Sequence, residues 1–344
     1  MEVSPKSTIM VVQKWDPPCK KFFLHDFRKK FKILLKRDIL GIVFLRILDK
    51  IKTTMVLLLQ LILNGIVIGT IYGIIALGLL IVYRGMKIFH IAHGAIFTLS
   101  CYMFYTFCRL FHFSVFISIP LTLLSVIAIA YFIEKLVYKP LSEKKASSEV
   151  SLIVSFGVYI ILVNSIALFY GNETKLVFDR VFSSYTFLGI TLTSIQIIQF
   201  LISLGTFVAI YLLLKKTNIG KAITAIAENS FLAEVIGIDI WKLRKIMIAL
   251  SAFLAGIAGI LISADIGMDP WGGMNILLSG AVAMIIGGIE RWEGASVGGL
   301  LLGIIQAVSI WKFSVKWQNV TTFLVLFVFL LFRPQGILTE KKRI

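Results

Sequence analysis

Long apolar runs alternate with short polar stretches along this chain. Nine runs stand out: Met55–Tyr83, Phe89–Leu110, Phe113–Ile133, Val150–Tyr170, Leu192–Leu214, Ile246–Ile266, Asn275–Ile289, Ala295–Trp311 and Val320–Phe332. A hydrocarbon core about 30 Å thick needs about 20 apolar residues in a helix, and most of the runs are of that order. The pattern therefore predicts an all-α integral membrane protein: a polytopic helical bundle of about eight to nine transmembrane or re-entrant segments within residues 55–340. Asn275–Ile289 is short and Gly-rich, which leaves its full crossing open.

Residues 1–54 differ from the rest. They carry 13 Lys/Arg against five Asp/Glu, and their longest apolar stretch, Ile39–Leu48, is interrupted by Arg46. That is too short to span, and no small-residue cleavage site follows to make it a secretory signal. Phe27–Ile51 alternates apolar and basic residues at near-helical spacing, as in a helix lying on a membrane surface. A loosely ordered basic tail is the equal alternative. In either case residues 1–54 form a basic extension, cytoplasmic or interfacial, ahead of the membrane region 55–340.

Charge orients the bundle. Lys and Arg collect in loop 134–149, in loop 215–245 and in the tail from Arg333, whereas 171–190 holds only Lys175 and Arg180 against Glu173 and Asp179. Positive residues favour the cytoplasmic side, so both termini and the two basic loops are expected inside and 171–190 outside. The parity is imperfect. Three runs separate the basic start from loop 134–149, so one of them is not a simple crossing or the start lies outside. Suspicion falls on residues 84–100, where Arg84, Lys87, His90 and His93 interrupt the apolar run. Ionisable groups are costly in lipid, and broken segments hold them only inside protein.

Composition agrees: of 344 residues 58% are hydrophobic and 15% charged, and mean hydropathy is +0.92. The net charge of +17 sits beside apolar runs, the pattern of membrane anchoring and not of nucleic-acid binding. Three cysteines, Cys19, Cys101 and Cys108, offer neither a disulfide framework nor zinc spacing. Gly65, Gly69 and Gly73 share one helix face, and Gly294 with Gly298 and Gly299 with Gly303 do the same later. Such four-residue spacing lets helix backbones approach closely. Asn64, Asn164 and Gln306 are polar residues inside apolar runs. They are candidates for a translocation path or for struts between helices.

Four stretches carry a family likeness. Ile91-Ala92-His93-Gly94 is followed by Tyr102. The loop Thr217–Asp239 holds Thr217, Gly220, Ala225, Asn229, Ala233, Gly237 and Ile238. Gly287 and Gly288 precede Gly294, Ala295, Gly298, Gly299, Leu302 and Gly303, and the chain closes with Arg333-Pro334 and Gly336. In this order the stretches resemble the permease subunits of branched-chain amino-acid ABC importers, the LivH/LivM type, over about residues 55–340. His90, Ser100 and Thr224 stand where the family pattern has Asn, Gly and Arg.

The resemblance implies a permease paired with a second, homologous permease, two cytoplasmic ABC ATPases and an extracytoplasmic solute-binding protein, in a bacterial inner membrane. Leucine, isoleucine and valine are the implied substrates, with urea, amides or other amino acids as alternatives. It also implies that Gly220, Ala225, Glu228, Asn229, Ala233 and Gly237 belong to an ATPase-coupling segment. There a helix over Ala225–Ile236 would present Ala225, Ile226, Leu232, Ala233 and Ile236 on one face, and Gly237 would stop it. Gly287 and Gly288 join the packing glycines through the same pattern.

His90 and His93, three residues apart, have no nearby carboxylate or Cys, so they make a poor metal site. The expected role of His93 is a hydrogen bond across helices that holds a break at Gly94. No cofactor or metal is expected. The sequence contains no G-x-x-x-x-G-K-[ST] phosphate loop and no catalytic triad or H-E-x-x-H set, which argues against an enzyme. A thousandfold concentration of solute costs about 4 kcal/mol, so active uptake needs partner ATPases or, in the rival reading of a secondary transporter, an ion gradient.

Overall fold

The structure is a computed structural model that describes residues 17–179, 182–187 and 189–338, with side chains from Lys50 onward. Residues 1–16, Arg180, Lys341, Lys342 and Arg343, which entered the charge reading, lie outside the described residues. So do the side chains of residues 17–49, on which the amphipathic reading of the basic extension depends. The chain divides into two compact units, Leu58 ending the first and Leu59 opening the second.

Helix α1 (Pro17–Met86) is followed by α2 (Ala92–Tyr105), which continues as a π turn over Thr106–Leu110. Next come α3 (Val115–Ile133), a π turn over Glu134–Tyr138, and the short α4 (Lys139–Glu143). After α5 (Ser148–Tyr170), strands β1 (Ser184–Phe187) and β2 (Ile190–Thr193) pair antiparallel. Then follow α6 (Ser194–Lys216), α7 (Asn218–Glu228), α8 (Ser230–Val235) and α9 (Ile240–Asp265). The chain ends with α10 (Gly272–Gly287), α11 (Trp292–Lys312) and, after a 3-10 turn, α12 (Gln318–Phe332).

Seven helical segments among the described residues are long and apolar enough to cross a membrane, and α10 is a shorter apolar helix. With α2, every one of the nine apolar runs is helical, so the all-α membrane bundle holds. The small hairpin is the exception.

Tertiary contacts sort the loops into two ends. At one end Lys87 Nζ donates to the Ala227 carbonyl at 3.2 Å and Ser148 Oγ to the Lys87 carbonyl at 2.9 Å. Arg84 lies over the Trp292 ring, and Ile337 and Leu338 donate their N–H groups to Ile286 and Gly287. At the other end Arg109 pairs with Asp179, Lys175 bridges Met268, and Gln60 is bonded to Thr191 beside the hairpin. Gln60 and Lys87 therefore lie at opposite ends. From Ala92 to Leu110 the chain runs back to the hairpin end, about 28 Å at 1.5 Å per residue. The suspected re-entrant piece is a full traverse, and the parity conflict resolves as three crossings between Gln60 and loop 134–149.

Burial follows membrane logic. The α1 residues Ile71, Ile74, Ile75 and Leu80 are fully buried, as are Met247, Ala252 and Leu254 of α9, so these two helices form the centre. Peripheral helices are inverted. Helix α3 buries Ser118, Thr122, Val126 and Ala130, α5 buries Ser151 and Ser155, and α6 buries Gln199, Ser203 and Thr206. Their large apolar side chains, such as Phe116, Ile161 and Leu201, face outward. In hydrocarbon there is no water for an outward hydroxyl, so small polar residues turn inward and bond to backbone carbonyls.

Glycines set the closest approaches. A methyl at Gly65 would meet the Gly303 carbonyl at 2.8 Å, and one at Gly69 the Gly299 carbonyl at 2.9 Å. Across the next seam, a methyl at Gly294 would meet the Gly287 carbonyl at 2.6 Å. Helices α1, α11 and α10 thus touch backbone to backbone, where no side chain can yield. Gly205 of α6 has nothing within 4 Å of its added methyl. Thermal unfolding of the detergent-purified protein should separate the two cases. Gly303→Ala should destabilise by about 1–3 kcal/mol through overpacking, whereas Gly205→Ala should be neutral or stabilise by up to about 1 kcal/mol through helix propensity.

Candidate functional site

Helix α1 ends at Met86, and the chain is non-helical from Lys87 to His90 before α2 begins. Lys87 takes a left-handed φ of 57° there. Partial burial, and after it the neighbouring Arg84, draw its ammonium below the usual lysine pKa. The break thus falls just before the position expected for it: Gly94 lies inside α2, close against Gly273 and Leu277.

A buried relay holds the new helix start. Ser155 Oγ of α5 accepts the Ala92 N–H at 3.0 Å and the Tyr138 hydroxyl at 2.8 Å. His90 Nδ1 is 2.8 Å from the Tyr138 oxygen. With the Tyr138 hydrogen committed to Ser155, His90 donates from Nδ1. His93 Nδ1 is 2.9 Å from Ser251 Oγ of α9, and its ring lies so close to Gly78 that a methyl there would meet Cε1 at 2.7 Å. His93 therefore ties α2 to α9 against α1. The residues that depart from the family pattern are accommodated locally. Ser100 Oγ donates to Phe97 O at 2.7 Å beside Gly259, and Thr224 Oγ1 donates to Gly220 O at 3.0 Å.

The loop between α6 and α9 is two helices, not one. Thr217 caps α7 by accepting the Gly220 N–H at 3.0 Å, and Asn229 caps α8 by accepting the Leu232 N–H at 3.1 Å. Asn229 has extended backbone angles, so it splits the expected Ala225–Ile236 helix. Gly237, at φ 87°, ends α8, and Ile238 N–H returns to the Ala233 carbonyl at 3.0 Å, a left-handed stop that favours glycine. The expected single apolar face divides accordingly. Ile226 and Ala233 point into the protein, while Phe231, Val235 and Ile236 are 71%, 68% and 73% exposed, with Leu232 beside them. Ala225 is half-buried and Glu228 exposed. A methyl at Gly220 would strike the α6 backbone.

Four residues after Ile240, where α9 starts, comes a buried charge, Arg244. Arg244 Nε donates to Glu134 Oε1 at 3.2 Å, and its Nη1 to Ser142 Oγ; both charged side chains are more than nine-tenths buried. This pair joins the end of the loop to the π turn after α3. Neither residue was singled out in the sequence, although Glu134 directly after the apolar run Phe113–Ile133 was a visible signal.

At the hairpin end a cavity of about 440 Å³ opens between α1, α2, α9, α10 and the turn before α12. Tyr72, Ser279 and Gln318 line it, and Gln318 Nε2 donates to the Tyr72 hydroxyl at 3.2 Å and to Gln306 Oε1 at 3.1 Å. Gln306 in turn donates to Thr322. Gln306, one of the polar residues in an apolar run, thus anchors a buried polar floor. Asn64 sits apart from it, accepting from Gln60 at 3.1 Å, and Asn164 is exposed, donating to its own helix at Ile160 O. The histidines, the loop and this cavity are three separate places and not one cluster.

Comparison with known proteins bears on the chain as a whole. The sequence model of a family described as "Branched-chain amino acid transport system / permease component" matches residues 61–332. The high-affinity branched-chain amino acid transport system permease protein BraD of Pseudomonas aeruginosa is 28% identical over 81% of this chain and 95% of its own length. A probable branched-chain amino acid transport permease protein LivH of Methanocaldococcus jannaschii is 30% identical over 81% of this chain and 92% of its own. Among solved structures, PsaBC from Streptococcus pneumoniae in complex with Fab aligns at a TM-score of 0.46 and 14% identity, over 81% of this chain and 92% of that one.

The Glu134–Arg244 pair yields a double-mutant test. Arg244→Met alone strands a buried carboxylate and should cost about 3–5 kcal/mol of stability. Glu134→Leu combined with Arg244→Met should recover most of that loss, read from thermal midpoints of the four purified proteins.

Proposed function

The chain belongs to the family of branched-chain amino acid transport system permease components, and on that premise we propose that it is the channel-forming subunit of an ATP-driven importer of leucine, isoleucine and valine. Its relatives carry branched-chain amino acid transport in their names, and substrate identity rests on them. The partners proposed are a second, homologous permease, two cytoplasmic ABC ATPases and an extracytoplasmic solute-binding protein. The membrane is a bacterial inner membrane, with the Lys- and Arg-rich loops and the tail inside. In that orientation Gln60 and the hairpin face outward, so the bundle begins outside. A cytoplasmic position for residues 1–54 does not follow from it.

One observation carries the ATP-driven reading. At the basic end, Phe231, Leu232, Val235 and Ile236 form an exposed apolar patch on a short helix that is capped at both ends. An apolar patch standing in water is the signature of a docking surface. The patch leads through Asp239, whose carboxylate caps α9 by accepting the Lys242 N–H at 3.0 Å, to Arg244 and the buried pair with Glu134. Force applied at α8 therefore reaches the start of a central helix. Alternating access would follow from two bundle arrangements, each favoured by a different nucleotide state of the ATPases. The helix-packing glycines keep α1, α10 and α11 as one block during that change. A secondary transporter would need a carboxylate free to titrate inside the membrane; the buried Glu134 is held by Arg244, and Asp265 and Asp269 sit at the hairpin edge of the bundle.

Two measurements test this reading. In right-side-out vesicles containing the full complex, leucine uptake should require ATP inside the vesicle and persist when ion gradients are collapsed. Uptake that survives ATP removal but not gradient collapse would favour the secondary transporter. Phe231→Asp and Val235→Asp should each cut ATP-driven uptake at least tenfold and release the ATPase from the purified complex. Because both side chains are exposed, the thermal midpoint of the isolated permease should shift by no more than about 0.5 kcal/mol equivalent.

A further inference from the structure

The cavity at the hairpin end is lined by two opposite charges, Asp269 and Lys316. Neither forms an ion pair among the described residues. Asp269 is held in place: its Oδ1 accepts the N–H groups of Trp271 at 2.9 Å and Gly272 at 2.8 Å. A side chain at position 272 would meet Asp269 Oδ2 at 2.9 Å, so glycine there leaves the second oxygen room. Lys316 approaches on the turn before α12. The same lining carries the apolar Ile68, Phe97, Ile262 and Ile276 beside the polar Thr98, Asn275 and Ser279. The volume of about 440 Å³ lies within the roughly 300–1,000 Å³ usual for small-molecule pockets.

A fixed carboxylate and an exposed ammonium lining one cavity that also has aliphatic surface match one chemical class. Urea and simple amides have no formal charges to satisfy either group. A zwitterion entering a membrane bundle loses water from both of its charges, which is costly unless each meets an opposite charge. We propose that this cavity recognises an aliphatic α-amino acid by its zwitterionic head. Asp269 takes the ammonium, Lys316 the carboxylate, and the Ile68–Phe97–Ile262–Ile276 wall the side chain. The proposal rests on the importer reading and names the step at which the permease itself, and not only a binding protein, selects its solute.

The test uses the purified complex of permeases and ATPases without binding protein, with tritiated leucine as probe in a scintillation-proximity assay. Wild-type complex should bind leucine saturably, with leucinamide and 4-methylpentanoate competing at least tenfold more weakly. Asp269→Asn keeps an oxygen to cap α10 and removes only the charge; it should weaken leucine binding at least tenfold and abolish the preference for leucine over 4-methylpentanoate. Lys316→Gln should do the same for leucine over leucinamide. Unchanged leucine affinity in both variants overturns the proposal, and so does a wild-type complex that carries out ATP-driven leucine uptake yet binds no leucine here. A weakening that is equal for leucine and both analogues overturns it too, since loss of fold or access would act on all three. Absence of ATP-driven uptake by the wild-type complex in vesicles would instead sink the importer reading on which this rests.

Discussion

Hydrocarbon supplies no hydrogen bonds, and most of what distinguishes this bundle follows from that. Backbone groups are satisfied within helices, and hydroxyls that would be stranded on a lipid face turn inward to carbonyls one turn back, as Thr122 does to Ser118 and Thr206 to Ile202. The centre itself stays apolar, and there contact of bare backbone adds to side-chain packing, along the seams of Gly65, Gly69, Gly299 and Gly303 and of Gly287, Gly294 and Gly298. The central helices are thereby fixed to each other over long lengths. Departures from regular helix are confined to a few places: Lys87–His90, the two π turns, and Asn229.

Those departures are where partner groups from distant parts of the sequence meet. The start of α2 depends on Ser155 and Tyr138, and the start of α9 depends on Asp239 locally and on Glu134 at a distance. Both arrangements converge on the end of the bundle that carries the exposed α8 patch. The opposite end holds the cavity over the Gln306 floor. The proposed solute site and the proposed coupling patch thus lie at opposite ends of the bundle.

Much of the fold could be read from the chain because runs of apolar residues and four-residue glycine spacing are local signals. The helix stop at Gly237 was legible for the same reason, since glycine after an amphipathic stretch has a direct conformational cause. What could not be read depends on proximity across long sequence separations. The position of the break at Lys87–His90 is chosen by Ser155 and Tyr138, and nothing in residues 84–100 announces them. The division of the loop at Asn229 was masked because Ile226, Leu232, Ala233 and Ile236 fit a single helical face on paper. Asp269 and Lys316 line one cavity only because the start of α10 and the turn before α12 face the same space.

The π turn at Glu134–Tyr138 has a consequence for the geometry of α3. The buried residues Ser118, Thr122, Val126, Ala130, Glu134 and Tyr138 recur at every fourth position. In a regular helix four residues overshoot one revolution by about 40°, so the stripe winds steadily around the axis as it nears the basic end. A π turn holds more residues per revolution and rotates the stripe back. Glu134 and Tyr138 can then look inward together, one toward Arg244 and the other toward His90.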